Sequence, residues 1–115
     1  MYSAKKELTI TLSSDTAVVR EIPKPKSKDI NMPLAKVARI QPIGCNVVIK
    51  FGNATVAADR TEDAKGAKAD DNFTVQDGAI EPFLVPAGST HVSAQVETAA
   101  TTGKVLITFG SDQLG

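Results

Sequence analysis

The chain contains no tryptophan, one tyrosine and four phenylalanines among its 115 residues, so it offers few aromatic faces. Sugar-binding modules and platforms for single-stranded nucleic acid depend on exposed aromatic faces. The chain also has no surplus of either charge, with 13 basic and 13 acidic side chains. Binding to DNA or anionic lipid through charge requires a basic surplus. The composition therefore argues against nucleic acid and membrane partners.

Cysteine and histidine each occur once, which excludes a disulfide within the chain and a cysteine-rich zinc site. Cys45 precedes an apolar stretch, and we predict that it is a small buried hydrophobic residue rather than a nucleophile. His91 falls on the polar face of a predicted strand, which favours a surface imidazole over a catalytic base. We find no catalytic constellation in the sequence and expect a protein without enzymatic activity or cofactor.

The acidic segment 58–71 and its surroundings hold the remaining candidates for a metal site. The carboxylates are Asp59, Glu62, Asp63, Asp70, Asp71 and Asp77. Their spacing does not match the calcium loop D-x-[DN]-x-[DN]-G-x5-E. Basic residues alternate with them, so we interpret the segment as solvated charge in a long surface loop or a frayed helix, and weak calcium binding stays open.

Four stretches alternate apolar and polar residues with a period of two, which predicts half-buried strands. They are ELTITLS (7–13), NVVIKF (46–51), THVSAQVE (90–97) and KVLITF (104–109). The predicted core residues of the second and fourth stretches are Val47, Ile49, Phe51, Val105, Ile107 and Phe109. Turns rich in glycine and proline separate the strands. The pattern predicts an all-β fold, a single antiparallel β-sandwich or jelly-roll-like body of seven or eight strands.

Three further segments are predicted strands with weaker patterns. A strand is expected within 16–22, and LAKVARI (34–40) favours a strand over a short helical turn because Pro33 and Pro42 bracket it. AIEPFLVP (79–86) is apolar on both faces and contains Pro82, which cannot donate a ladder hydrogen bond. This segment is therefore predicted at a sheet edge or a bulge.

NVVIKFGN (46–53) and KVLITFGS (104–111) nearly repeat each other. The residues before the two copies share almost nothing, so we interpret them as two central strands, each ended by a glycine, rather than as a duplication. The Pro- and Lys-rich segment 21–33 is predicted to be an extended connector or a binding arm. Residues 1–33 would then form N-terminal strands with a connector or arm, and residues 34–115 the sandwich body, together one domain.

Three stretches resemble a group of small virion proteins of tailed bacteriophages: NVVIKFGNATVAA, DNFTVQDGAIEPFLVPAGSTHVSAQV and GKVLITFGS. The shared elements are a strand ending in F-G, a T-V-A segment, a G-A-x-E-x-F-x-V-P-x-G-S-T-H hairpin and a last strand of G-x-x-x-I-x-x-G form. The matching positions are Phe51–Gly52, Thr55–Ala57, Gly78–Ala79, Glu81, Phe83, Val85–Pro86, Gly88–His91 and Gly103–Gly110. The acidic segment is longer than the family pattern, and the first forty residues match nothing in it.

The resemblance implies a structural virion protein, most simply a capsid decoration or auxiliary head protein that binds the major capsid protein in many copies or as a homo-oligomer. Alternatives are a carbohydrate- or host-surface-binding module, a neck or tail accessory protein, and an enzyme subunit or inhibitor. The N-terminus lacks the apolar region of a signal peptide, which agrees with assembly into a virion. The candidate partner contacts are Tyr2, Pro23, Lys24, Pro25 and Lys26.

Overall fold

The computed structural model describes residues 2–23, 37–69 and 71–112, and these contain eight β-strands and no helix. The strands are β1 Tyr2–Leu12, β2 Val18–Glu21, β3 Val37–Ile43, β4 Val47–Gly52, β5 Phe73–Val75, β6 Glu81–Leu84, β7 His91–Val96 and β8 Gly103–Asp112. They form two four-stranded antiparallel sheets that pack face to face. The predicted all-β sandwich of seven or eight strands is confirmed.

The strand order is β1-β8-β3-β6 in one sheet, here sheet A, and β2-β7-β4-β5 in the other, sheet B. The two near-repeated stretches are β4 and β8, and each has a neighbour on both sides, so the predicted central positions are confirmed. They lie in different sheets. β1 pairs with β8 from Tyr2↔Asp112 to Leu12↔Gly103, and β2 pairs with β7. The N-terminal part of the chain therefore contributes one edge strand to each sheet.

The core lies between the sheets and is built from the inward-facing residues of the alternating strands. All six predicted core residues are buried, five of them completely, while Phe51 keeps 9% of its surface exposed. Cross-strand pairs align these side chains, with Phe51 opposite Val92 in sheet B and Phe109 opposite Ala38 in sheet A. The apolar residues of the alternating stretches thus form the hydrophobic core between the two sheets.

Two residues that were expected to bound strands lie inside them. Gly110 was expected to end its strand but lies within β8, which continues to Asp112 because β1 pairs with it that far. Pro42 was expected to bound its strand but lies inside β3. β6 pairs with β3 only over Val37–Ile40, so at Pro42 the strand has a single partner, β8, and the missing N–H leaves no gap in a second ladder.

The segment with Pro82 forms β6, one of the two edge strands of sheet A, as predicted. Pro82 and Leu84 lie on the outer face, whereas Phe83 lies opposite the buried Ala38 and points inward. A short edge strand with a proline offers few free backbone groups to another strand. This edge is blunted against strand addition, yet it exposes apolar side chains, with Leu84 82% exposed.

The long acidic segment is a loop and not a helix. Residues 53–69, here called the strap, cross the outer face of sheet B, held by side chains of β7. Ser93 Oγ accepts a hydrogen bond from Ala58 N at 2.8 Å, and Gln95 Oε1 accepts one from Arg60 N at 2.9 Å. Val48 lies beside Gln95 in the next strand and is fully buried, although its side chain points away from the core between the sheets. The strap therefore creates a second buried layer.

Replacing Ser93 with alanine tests this attachment. Ser93 is fully buried, and its loss would leave the Ala58 N–H without its acceptor under the strap. We expect the free energy of unfolding to fall by about 1–3 kcal/mol, together with faster hydrogen exchange at Ala58. Ser13→Ala, at an exposed position, is the control and should change stability by less than about 0.5 kcal/mol. Equal urea midpoints for the two variants would contradict the role given to Ser93.

Candidate interaction surfaces

Three loops meet at Asp15. The Asp15 carboxylate accepts hydrogen bonds from Ala100 N at 2.9 Å and from Arg60 Nη1 at 3.3 Å, and Gln95 Nε2 donates to its backbone carbonyl at 2.8 Å. The Ala100 N–H is the main cause that lowers the pKa of Asp15 below its ordinary value of 3.8, and Arg60 adds to it. Ala100 has a φ of +63°, a conformation that alanine rarely adopts. The junction fastens the strap to the sandwich, which is a structural role.

The lowered pKa of Asp15 predicts a loss of stability in acid. A carboxylate with a folded pKa below its unfolded pKa contributes stability above the unfolded value, and this is lost as the pH falls through the folded one. We expect the melting temperature to fall below about pH 4. Asp15→Asn keeps an acceptor for Ala100 but does not titrate, so its melting temperature should fall less between pH 6 and pH 2.5. An identical fall in both proteins would contradict the assignment.

The two residues with reactive side chains sit in structural surroundings. Cys45 is buried, as predicted, and burial raises the pKa of its thiol, with the nearby charge of Asp77 adding to the effect. His91 is half-buried at the start of β7, where its Nδ1 lies 2.8 Å from Thr90 Oγ1. Neither residue is part of a cluster of metal-ligating side chains in the described ranges.

Four of the six acidic candidates have partners among the described residues. Three carboxylates accept backbone N–H groups, two of them within the strap and the third, Asp77, from the turn between β3 and β4, and one carboxylate pairs with a lysine. The contacts are Asp59 with Thr61, Asp63 with Lys65 and Ala67, Asp77 with Gly44, and Glu62 with Lys68. Asp70 lies outside the described residues. The described acidic residues of the strap therefore stabilise its turns and the isolated β-bridge Glu62↔Lys68. They do not form a cluster that could hold a metal ion.

The structure describes only two of the five residues predicted to contact a partner. Tyr2 begins β1 opposite Asp112, and its side chain lies outside the described part of the structure. Pro23 is half-buried just after β2, while Lys24, Pro25 and Lys26 lie outside the described residues. The prediction for this set stays a prediction.

A groove opens between the edge strands β5 and β6, where the two sheets come together on one side of the sandwich. It has a volume of about 460 Å³ and is lined by Phe51, Asp71, Asn72, Phe73, Phe83, Leu84 and Pro86. We call it the β5–β6 groove. Phe73 bridges the sheets, with its ring centroid 6.2 Å from that of Phe51 and 4.6 Å from that of Phe83. Phe73 and Phe83 are half-buried, so both core packing and the groove use them.

Polar contacts fix one wall of the groove. Asn72 Oδ1 accepts a hydrogen bond from Asp59 N at 2.9 Å, and the Asn72 side-chain amide donates to the carbonyl of Ala69. Asp71, the residue before Asn72, has a φ of +60°, and the chain turns there from the strap into β5. The strap thus positions Asp71 at the groove while it covers sheet B.

The sequence patterns placed Phe51 and Phe109 in the core and did not identify the groove. Phe73 and Phe83 belong to strands of different sheets, and no periodicity within either strand reports a contact between them. One feature of the sequence could have indicated the groove, namely that segment 79–86 is apolar on both faces. When Phe83 points inward, Ile80 and Leu84 remain exposed, by 59% and 82%. Large exposed aliphatic side chains near a groove are typical of interaction sites.

Among the described residues, no helix is suited to crossing a membrane. Comparison of the chain with models of protein families, with curated proteins and with solved structures gave no match.

Proposed function

We propose that this chain is a non-enzymatic structural protein of a tailed-phage virion, which decorates the capsid by binding the major capsid protein in many copies. The proposal rests on the resemblance of its β4, β6, β7 and β8 stretches to small virion proteins of this kind. A two-sheet body with a filled core suits a protein that must keep its shape on a lattice.

The observation that carries the proposal is the location of the segment that matches the hairpin of the family pattern. In this chain the segment is not a hairpin, because the strands it joins, β6 and β7, lie in different sheets and do not pair with each other. Its residues Glu81 and Phe83 form the edge strand β6, and Val85–Pro86 lead into the turn closed by the 3.1 Å hydrogen bond from Ser89 N to the Pro86 carbonyl. Gly88 takes a φ of +84° in that turn. The pattern that resembles virion proteins therefore falls on an exposed edge with apolar side chains, where a partner can reach it, as well as on central strands.

Attachment through this edge would bury side chains rather than add a strand. Pro82 blunts the β6 ladder, whereas Leu84 and the β5–β6 groove offer apolar surface that a neighbouring protein can cover. The strap already covers the outer face of sheet B, so sheet A and the β5–β6 side supply the contact in this account.

Rebinding to particles tests the proposal. Purified protein is added to virions of a phage from which its gene has been deleted, and bound protein is measured after sedimentation and washing. We expect saturable binding at a fixed ratio to the major capsid protein. Protein that stays in the supernatant at every concentration would rule out capsid decoration.

A further inference from the structure

We propose that the β5–β6 groove binds an arginine side chain of a partner protein, which is the capsid protein if the proposed function holds. The groove combines two half-buried phenylalanine rings with a single charged residue, Asp71. These are the two groups that a guanidinium recognises best.

The charge of the groove is uncompensated. Asp71 is exposed, and its carboxylate has no hydrogen bond or ion pair among the described residues. The other acidic residues nearby differ in this respect, since Asp59 and Asp63 accept backbone N–H groups and Glu62 pairs with Lys68. Of the residues that the structure describes, no basic one lines the groove. The free carboxylate therefore selects a cation.

The apolar lining determines which cation fits. Phe73 and Phe83 line the same groove as Asp71, and the exposed Leu84 and Pro86 add further apolar lining. A guanidinium stacks on an aromatic ring and donates two parallel hydrogen bonds to a carboxylate, while its methylene stem covers apolar surface. A lysine ammonium is a strongly hydrated point charge and uses this geometry less well. At about 460 Å³, the groove is within the size range of ligand sites.

Asp71→Asn is a conservative test of the carboxylate. Asparagine tolerates positive φ and has nearly the same shape, so the turn at Asp71 should be preserved while the charge is lost. Glu81→Gln is the matched control, because Glu81 is an exposed acid on β6 that does not line the groove. Equal melting temperatures of both variants and the parent establish that folding is unchanged.

The first measurement uses the isolated protein and capped tripeptides. ¹H–¹⁵N spectra are recorded during titration with acetyl-Gly-Arg-Gly-amide, and with the Gln-centred peptide as a neutral control. We expect shifts at Phe73 and Leu84 with the arginine peptide alone, and binding at least about tenfold weaker in Asp71→Asn, as loss of a charge-assisted hydrogen bond predicts. Glu81→Gln should bind like the parent. Absence of shifts, equal shifts with both peptides, or unchanged binding by Asp71→Asn would overturn the inference.

The second measurement separates this inference from the proposed function. Parent protein, Asp71→Asn and Glu81→Gln are rebound to particles that lack the protein. Weaker binding of Asp71→Asn alone supports the groove as the capsid contact. Rebinding of all three with equal affinity overturns the groove as that contact and leaves the virion function standing. Failure of the parent to rebind, with the peptide titration intact, overturns the virion function and leaves the arginine site.

Discussion

Replacing Phe109 with alanine will lower the free energy of unfolding by about 3–5 kcal/mol, as large truncations in a filled core do. Phe109 is the largest fully buried side chain, and it lies in β8 at the centre of sheet A. Its removal leaves a cavity between two sheets whose strands are fixed by pairing on both sides, so the surroundings cannot easily close it. Urea unfolding measured by circular dichroism gives the value directly.

Alanine substitutions at a second core position and at a surface position distinguish the loss of core packing from a general effect of truncation. Phe51→Ala should also fall in the range of about 3–5 kcal/mol, since Phe51 packs in the core and contacts Phe73. Leu84→Ala, at a position 82% exposed, should change stability by less than about 0.5 kcal/mol. A neutral result for both phenylalanines would mean that β4 and β8 do not form the core.

Gly103→Ala should destabilise the protein by about 3 kcal/mol, at the upper end of the range for overpacked sites. A Cβ at this position would lie 2.6 Å from Cys45 Sγ and 2.6 Å from the backbone carbonyl oxygen of Ile43. The sulfur can rotate away, but the carbonyl belongs to β3, which pairs with β8 at this point. Relief therefore requires the two central strands of sheet A to separate locally.

Gly88→Ala is the matched control for this substitution. No atom lies within 4 Å of an added Cβ there, although the φ of +84° strains any residue other than glycine. The expected loss is about 1–2 kcal/mol from strain alone. Cys45→Ala combined with Gly103→Ala should recover only part of the Gly103→Ala loss, because the clash with Ile43 remains. Full recovery in the double variant would show that the sulfur alone limits the space at Gly103.

Much of the sandwich was predictable because period-two alternation follows from burial on one face of a strand. β4, β7 and β8 alternate with large apolar side chains, and Pro82 correctly indicated an edge strand. The boundaries were less predictable, since Gly110 and Pro42 lie inside strands whose lengths are set by their neighbours. A residue's own conformational preference does not report how far its partner strand extends.

The sequence predicted the acidic segment as a long surface loop or a frayed helix, and the loop is confirmed, but the packing of this loop across sheet B was not predictable. Residues 53–69 have no periodicity, and they are held by hydrogen bonds from their backbone to Ser93 and Gln95, which lie 35 positions away in sequence. Alternation placed Ser93 on a polar face, and the structure buries it there. Asp59, between the two anchored residues of the strap, donates its N–H to Asn72 and so holds Asp71 at the β5–β6 groove. The candidate site therefore depends on contacts between residues distant in sequence, which no local pattern contains.

Fold and proposed function connect at one side of the molecule. The strap closes the outer face of sheet B, and the core fills the space between the sheets. The β5–β6 side retains exposed apolar side chains and the carboxylate of Asp71, which has no partner among the described residues. Substitutions at Phe109 or Gly103 should reduce attachment only through loss of folded protein. Substitution of Asp71 should reduce attachment while the melting temperature is unchanged.

Quantitative mass spectrometry of purified, washed virions measures whether the protein decorates the capsid. We expect the protein to remain on the particles after high-salt washing, in a fixed and large number of copies relative to the major capsid protein. Complete loss of the protein from washed virions, or a trace amount that varies between preparations, would contradict a decorating role.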